Sequence, residues 1–117
     1  MFNIVKVYSD REGHSHFEDV TVPLKESGAI GYLSEKFDAD GIIFRLVEPT
    51  YDYDFHNTPQ KQYIILLDGE IEIETSLGDK RIFKAGDVLL MEDTEGRGHR
   101  TRNITPHRRK SIFVTIP

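Results

Sequence analysis

The chain has 117 residues and no cysteine, and its 20 acidic and 15 basic side chains leave a net charge of −5. The length predicts one domain, and the lack of thiols excludes disulfides, thiolate nucleophiles and thiolate-bound metals. The acidic balance argues against nucleic acid as a partner, because phosphate binding needs a positive surface. No apolar run is long enough to cross a membrane. The N-terminal MFNIVKVY also lacks the pattern of a secretory signal, so we expect a cytoplasmic protein.

Alternating runs rich in β-branched and aromatic residues predict about ten short strands and no convincing helix. In chain order these strands are 4–8, 16–24, 41–48, 51–56, 62–67, 70–75, 80–83, 88–91, 99–104 and 111–116. Residues 25–40 carry no helical stripe and are expected to form a loop with at most one short helical turn. Turn-forming residues recur at roughly the 8–12-residue spacing that is typical of a β-sandwich or barrel.

The dipeptide Asp68-Gly69 predicts a tight hairpin between strands 62–67 and 70–75. In the return strand, glutamates alternate with isoleucines, which predicts glutamates in water and isoleucines in the core. Residues 99–103 alternate in the same way, so His99, Thr101 and Asn103 should share one face, opposite Arg100 and Arg102.

Strand 51–56 alternates aromatic and acidic side chains. Strict alternation places Tyr51, Tyr53 and Phe55 on one face and Asp52, Asp54 and His56 on the other. If His56 points inward, Asp52 and Asp54 are therefore expected beside it, near the mouth of a barrel.

The segment from Thr50 to Gly69 resembles the first motif of the cupin family, usually written G-x5-H-x-H-x3-4-E-x6-G. His56 stands in the first histidine slot and Gly69 in that of the closing glycine. Thr58 stands in the second histidine slot and Gln62 in that of the glutamate, while Thr50 replaces the leading glycine.

The segment from Gly86 to Asn103 resembles the second cupin motif, G-x5-P-x-G-x2-H-x3-N. Gly86, Gly96, His99 and Asn103 match it, although Thr94 replaces the proline and the middle loop is two residues longer. Sixteen residues separate the two motifs, as is typical of small single-domain cupins.

The resemblance implies an all-β, single-domain jelly-roll barrel of cupin type over residues 1–117. In metal-binding cupins, three histidines and a glutamate hold a divalent metal, and this chain keeps His56 and His99 of that set. One interpretation is a weak divalent transition-metal site built from His56, His99 and Gln62, completed by water or Asp54. The other is a hydrogen-bonded polar pocket without metal, lined by His56, Thr58, Gln62 and His99.

Three further features have alternative interpretations. The H-x-H at His14 and His16 is a weak chelate or a surface loop. The basic run 107–110 is a solvated hairpin tip or a patch for an acidic partner. Arg45 points either inward, where it could anchor a carboxylate ligand, or outward toward a glutamate.

The leading functional hypothesis is a cupin that binds a small molecule in this pocket. The alternatives are a metal-dependent dioxygenase or isomerase and a non-catalytic structural or regulatory module. No catalytic residue and no ligand can be named from the sequence. A homodimer is expected because so small a barrel has sheet edges to cover, with strands 4–8 and 111–116 as candidates for exchange between subunits.

Overall fold

The computed structural model describes residues 1–117 and confirms the all-β fold. Apart from strands, its one regular element is a 3₁₀ turn at Gly28–Ile30. The strands are β1 (Phe2–Ser9), β2 (Ser15–Val22), β3 (Lys25–Glu26), β4 (Tyr32–Leu33), β5 (Gly41–Val47), β6 (Asp52–His56), β7 (Gln62–Leu66), β8 (Glu70–Thr75), β9 (Lys80–Lys84), β10 (Val88–Met91), β11 (His99–Asn103) and β12 (Arg109–Thr115).

Two sheets face each other. One has six strands in the order β2-β1-β10-β7-β12-β5, and the other has four in the order β6-β11-β8-β9. Every pairing is antiparallel except β1 with β10. No backbone ladder joins the two sheets, so the jelly roll is an open pair of sheets rather than a closed barrel.

The core lies between the two sheets and draws side chains from both. Its fully buried members are Val7, Leu66, Ile71, Ile73, Phe83, Leu89 and Met91. The alternation predicted for residues 70–75 is confirmed, since Ile71 and Ile73 are 2% and 1% exposed. Burying each such side chain contributes about 1.5–3 kcal/mol.

The hairpin predicted at Asp68-Gly69 is wrong. β7 pairs with β10 and β12, whereas β8 pairs with β9 and β11 in the opposite sheet. The turn, with Gly69 at φ 66°, therefore carries the chain from one sheet to the other. Leu66 and Ile71 then enter the core from opposite walls, which two neighbouring strands could not achieve. The Asp68 carboxylate holds the crossing by accepting the Lys110 backbone N–H at 2.7 Å.

The segment 25–40 is largely the expected loop, with the 3₁₀ turn enclosed by the two-residue strands β3 and β4. The strands suggested for exchange, β1 and β12, are interior and paired on both sides, whereas the edges of the six-stranded sheet are β2 and β5. None of the structure's helical segments is both long and apolar enough to span a bilayer.

Candidate functional site

A cavity of about 380 Å³ lies between the two sheets. Its interior walls are apolar, formed by Ile64, Leu66, Ile71, Ile73 and Met91. The lining residues Ile43, Tyr53, Asn57 and Pro59 are themselves exposed and border its mouth.

The four residues singled out by the two motifs all line this cavity. Thr58, Gln62 and His99 are buried, and His56 is half-buried. His56 on β6 pairs with His99 on β11, and their ring centroids are 4.6 Å apart. The fold thus brings both motifs to one place, as neither strand could do alone.

The strict alternation predicted along residues 51–56 is wrong because β6 contains a bulge. His56 pairs with His99 and Tyr53 with Thr101, so three steps along β6 oppose two along β11. The extra residue puts Tyr53 and His56 on the same inner face, where their rings stack at 3.7 Å. Tyr53, and not an aspartate, is therefore the inward neighbour of His56.

The aspartates of β6 face water. Asp52 binds Arg100 of β11 at 2.9 Å, and Asp54 is exposed. Arg102 likewise pairs with Glu72 at 2.9 Å on the outer face. The faces predicted for β11 are confirmed, since His99 and Thr101 are buried beneath these ion pairs.

Asp93 is a residue of the site that the sequence did not reveal. It lies in the loop between β10 and β11 and is completely buried. One carboxylate oxygen accepts a hydrogen bond from His99 Nδ1 at 2.5 Å, and the other accepts one from Thr58 Oγ1 at 2.7 Å. Asp93 thus fixes the positions of two of the four motif residues. Its loop has no alternation of apolar and polar residues that would have marked Asp93 as buried.

Hydrogen bonds also set the tautomers of the two histidines. His99 Nδ1 donates to Asp93, and His56 Nδ1 donates to the Asp54 carbonyl at 2.7 Å. Each ring is left with Nε2 as an acceptor. Burial lowers the pKa of His56, and the neighbouring His99 acts in the same direction, against the hydrogen bond to Asp54. The two Nε2 atoms can accept hydrogen bonds from a molecule in the cavity.

The donors around His56 and His99 do not fit a resident catalytic metal. No group of three or more histidine, cysteine or acidic side chains is placed to hold an ion. Asp93 is already bound by His99 and Thr58, which leaves two imidazoles and the amide of Gln62. Open catalytic zinc sites keep three protein ligands drawn from histidine, cysteine and carboxylate side chains, and the neutral amide oxygen of Gln62 is a poorer ligand than any of these. The weak metal site of His56, His99 and Gln62 stays a prediction.

Gln62→Glu is expected to tighten Zn²⁺ binding by about tenfold or more, equivalent to 1.4 kcal/mol. The new carboxylate would join the two imidazoles as a third strong ligand. Isothermal titration calorimetry of both proteins tests this, with Gln60→Glu at an exposed position as the control. Equal affinities in the parent and Gln62→Glu would show that residue 62 does not share a site with the histidines.

The basic run 107–110 is a solvated tip for three of its residues, but not for Arg109. His107, Arg108 and Lys110 are exposed, whereas Arg109 is the first residue of β12 and only 1% exposed. It lines the cavity, and its Nε donates to Asn103 Oδ1 at 2.9 Å. The inward position of Arg109 is not apparent from the sequence, because β12 begins at this residue and the alternation therefore starts inside the basic run.

Arg45 points inward and also lines the cavity. Its guanidinium carbon lies 4.7 Å from the ring centroid of Tyr51 and 5.0 Å from that of Phe113. Both rings offer a cation–π contact. Neither Arg45 nor Arg109 takes part in any ion pair of the structure.

His14 and His16 each have a hydrogen-bond partner of their own. His14 Nδ1 lies 3.0 Å from Ser76 Oγ, and His16 Nε2 lies 2.7 Å from an Asp10 carboxylate oxygen. His14 lies just before β2 begins at Ser15, whereas His16 lies within the strand, and each ring has its own partner.

No protein-family model and no curated protein matches this sequence. Several solved structures are similar to this chain. The chain is similar to a cupin 2 conserved barrel domain protein from Salinispora arenicola, with 23% identity and a TM-score of 0.51 over 62% of this chain and 59% of that one. It is similar to a protein with a double-stranded beta-helix domain from Klebsiella pneumoniae, with 22% identity and a TM-score of 0.52 over 65% of each chain.

A third similar structure is a sugar phosphate isomerase from a cupin superfamily, from Silicibacter pomeroyi. Its identity is 17% and its TM-score 0.52, over 100% of this chain and 72% of that one. The chain spans less than two thirds of the length of the Salinispora and Klebsiella proteins. At these identities the likeness establishes the fold, which is that of the cupins.

Proposed function

We propose that this chain, which has the cupin fold, binds a small molecule in the cavity between its two sheets. The supporting observation is the cavity itself, about 380 Å³ in volume, with apolar walls and a few convergent polar groups. Small-molecule sites have this character, with volumes of roughly 300–1,000 Å³.

The polar groups of the cavity are held in place before any ligand arrives. Asp93 fixes both His99 and Thr58 by hydrogen bonds of 2.5 and 2.7 Å. His56 is held by the Asp54 carbonyl and stacked on Tyr53. A site supported in this way on strands loses little conformational entropy on binding.

The two other functions suggested by the sequence have weaker support. A metal-dependent dioxygenase or isomerase would need more strong ligands than this cavity offers. A purely structural or regulatory module would be expected to fill its interior with apolar side chains, whereas this interior keeps a cavity lined by histidine, glutamine and arginine.

Ile43→Trp is expected to weaken the binding of small molecules by at least about tenfold. Ile43 borders the mouth of the cavity and is 49% exposed, so an indole ring there would obstruct entry without overpacking the core. Saturation-transfer NMR with a library of neutral, anionic and cationic fragments identifies the binders, and titration then measures their affinities.

The matched control is Ile42→Trp, because Ile42 is 56% exposed and does not line the cavity. It should bind the same fragments as the parent protein. Equal binding by all three proteins, or no binding by any of them, would contradict the proposed function.

A further inference from the structure

Three buried side-chain atoms in this protein lack a hydrogen-bond partner, and all three lie on one face of β12. They are Nη1 and Nη2 of Arg109 and Oγ of Ser111. Arg109 and Ser111 are two residues apart in a strand, so they point to the same side, toward the interior. Unsatisfied buried polar atoms are rare in proteins and call for an explanation.

A second arginine lies beside this cluster. Arg45 pairs with Ser111 across the β5–β12 ladder and lines the same cavity as Arg109. Burial lowers the pKa of Arg109, and the positive charge of Arg45 acts in the same direction. The two guanidinium groups therefore share an interior with no carboxylate paired to either of them.

An uncompensated buried charge is costly, because the charged group loses its hydration and gains no partner in return. The protein's own contacts satisfy only the Nε of Arg109 and leave both terminal nitrogens without a partner. An anionic ligand would remove the penalty, since a carboxylate accepts two parallel hydrogen bonds from the ends of a guanidinium group.

We propose that the cavity takes a small organic anion, whose oxyanion group is bound by Nη1 and Nη2 of Arg109. Arg45 supplies the second positive charge and Ser111 a hydroxyl donor. This inference rests on the proposed small-molecule function and names the ligand class. The bond from Nε to Asn103 holds the guanidinium group in place and leaves both terminal nitrogens for the ligand.

The body of the ligand extends toward the histidines. Asn103, beside Arg109, lies four residues from His99 on β11, which is about 13 Å along a strand. The wall between them carries a row of rings. Centroid separations are 6.4 Å from Tyr51 to Tyr53, 3.7 Å from Tyr53 to His56 and 4.6 Å from His56 to His99. A flat, largely apolar carboxylic acid suits this surface, and a phosphate group offers the same oxyanion chemistry.

The test is isothermal titration calorimetry at low ionic strength with three probes. Benzoate carries the anion on a flat ring, benzamide is its neutral counterpart, and inorganic phosphate is a bare oxyanion. The parent protein should bind benzoate at least about tenfold more tightly than benzamide. Phosphate binding of equal or greater strength would assign the site to phosphorylated ligands, and weaker phosphate binding to carboxylic acids.

Arg109→Met should reduce the affinity for both anions by about tenfold or more, because methionine keeps part of the apolar stem and removes the charge. Arg108→Met is the matched control, since Arg108 is the adjacent exposed residue and lies 3.3 Å from Glu48. It should bind as the parent does. Arg109→Lys retains the charge without the two-pronged geometry and should fall between the parent and Arg109→Met.

Anion binding that is unchanged in Arg109→Met, or a parent protein that prefers benzamide or binds neither anion, would overturn the inference. These outcomes are separate from failure of the proposed function. Neutral fragments that still lose affinity in Ile43→Trp would confirm a small-molecule cavity whose ligand is not an anion. Should Arg109→Met fail to fold, Arg109→Lys and the comparison of benzoate with benzamide still decide the question.

Discussion

Gly98→Ala is expected to lower the free energy of unfolding by about 4 kcal/mol, the sum of backbone strain and overpacking. Gly98 has a φ of 72°, a conformation that residues with a Cβ rarely adopt. A Cβ at this position would overlap the carbonyl group of His56 and lie 3.0 Å from the Asn57 backbone nitrogen. These are backbone atoms and cannot rotate away, so the end of β6 must move and carry His56 with it.

Gly78→Ala is the matched control for this substitution. Gly78 also has a positive φ, of 92°, but a Cβ there would meet nothing within 4 Å. It should show the backbone strain alone, about 1 kcal/mol. Urea unfolding gives both free energies, and the ring signals of His56 in NMR spectra report its displacement. Equal destabilisation by the two substitutions would show that the contact between Gly98 and His56 does not constrain the site.

The strands could be predicted from the sequence because alternation is a local property. In β8, every second residue faces the core, and the observed strand has the predicted boundaries. The resemblance to the two cupin motifs also predicted which four residues would meet, and these residues line one cavity. The first prediction depends on the strand being regular from one residue to the next, and the second depends on the motifs.

The predictions were wrong where the alternation of side chains is interrupted, and where the structure depends on which strands pair with each other. Nothing in the dipeptide Asp68-Gly69 distinguishes a hairpin from a crossing between sheets, because the choice depends on distant strands that pair with β7 and β8. The bulge in β6 reverses the direction of the side chains before His56 and is set by pairing with β11. Local residue patterns do not contain either piece of information.

The two charged groups that matter most to the cavity were hidden for related reasons. Asp93 lies in a loop, where no alternation separates buried from exposed residues. Arg109 lies within a run of basic residues, which is usually solvated, yet it occupies the first inward position of β12. Only the three-dimensional structure shows that the carboxylate of Asp93 has its hydrogen bonds satisfied, whereas the terminal nitrogens of Arg109 do not.

That difference separates the two ends of the cavity. At the histidine end, the Asp93 carboxylate accepts bonds from His99 and Thr58, so the protein satisfies its own buried polar groups. At the arginine end, Nη1 and Nη2 of Arg109 have no partner. The histidine end is therefore held by the protein's own hydrogen bonds, and the arginine end is where the proposed anion would supply partners for Nη1 and Nη2.

Asp93→Asn is expected to lower the free energy of unfolding by about 3 kcal/mol, because it disrupts two hydrogen bonds to a fully buried carboxylate. An asparagine side chain has one acceptor oxygen where the site needs two, and its amide group would direct N–H at either His99 Nδ1 or Thr58 Oγ1. The imidazole of His99 would then turn or exchange its tautomer, and the affinity for fragments that contact it should fall along with stability. Urea unfolding measures the first effect, and fragment titration measures the second.

Asp10→Asn provides the same change of chemistry at the surface, where Asp10 binds His16 at 2.7 Å and its other oxygen accepts two backbone N–H groups. Asparagine can keep the backbone bonds through its remaining oxygen, and water competes for the exposed histidine contact, so stability should change little. If Asp93→Asn proved as mild as Asp10→Asn, the buried carboxylate would not be what holds His99 and Thr58. The rigid histidine end would then need another support. A large loss of stability with unchanged fragment binding would instead separate folding from recognition, and would leave the arginine end as the part of the cavity that selects the ligand.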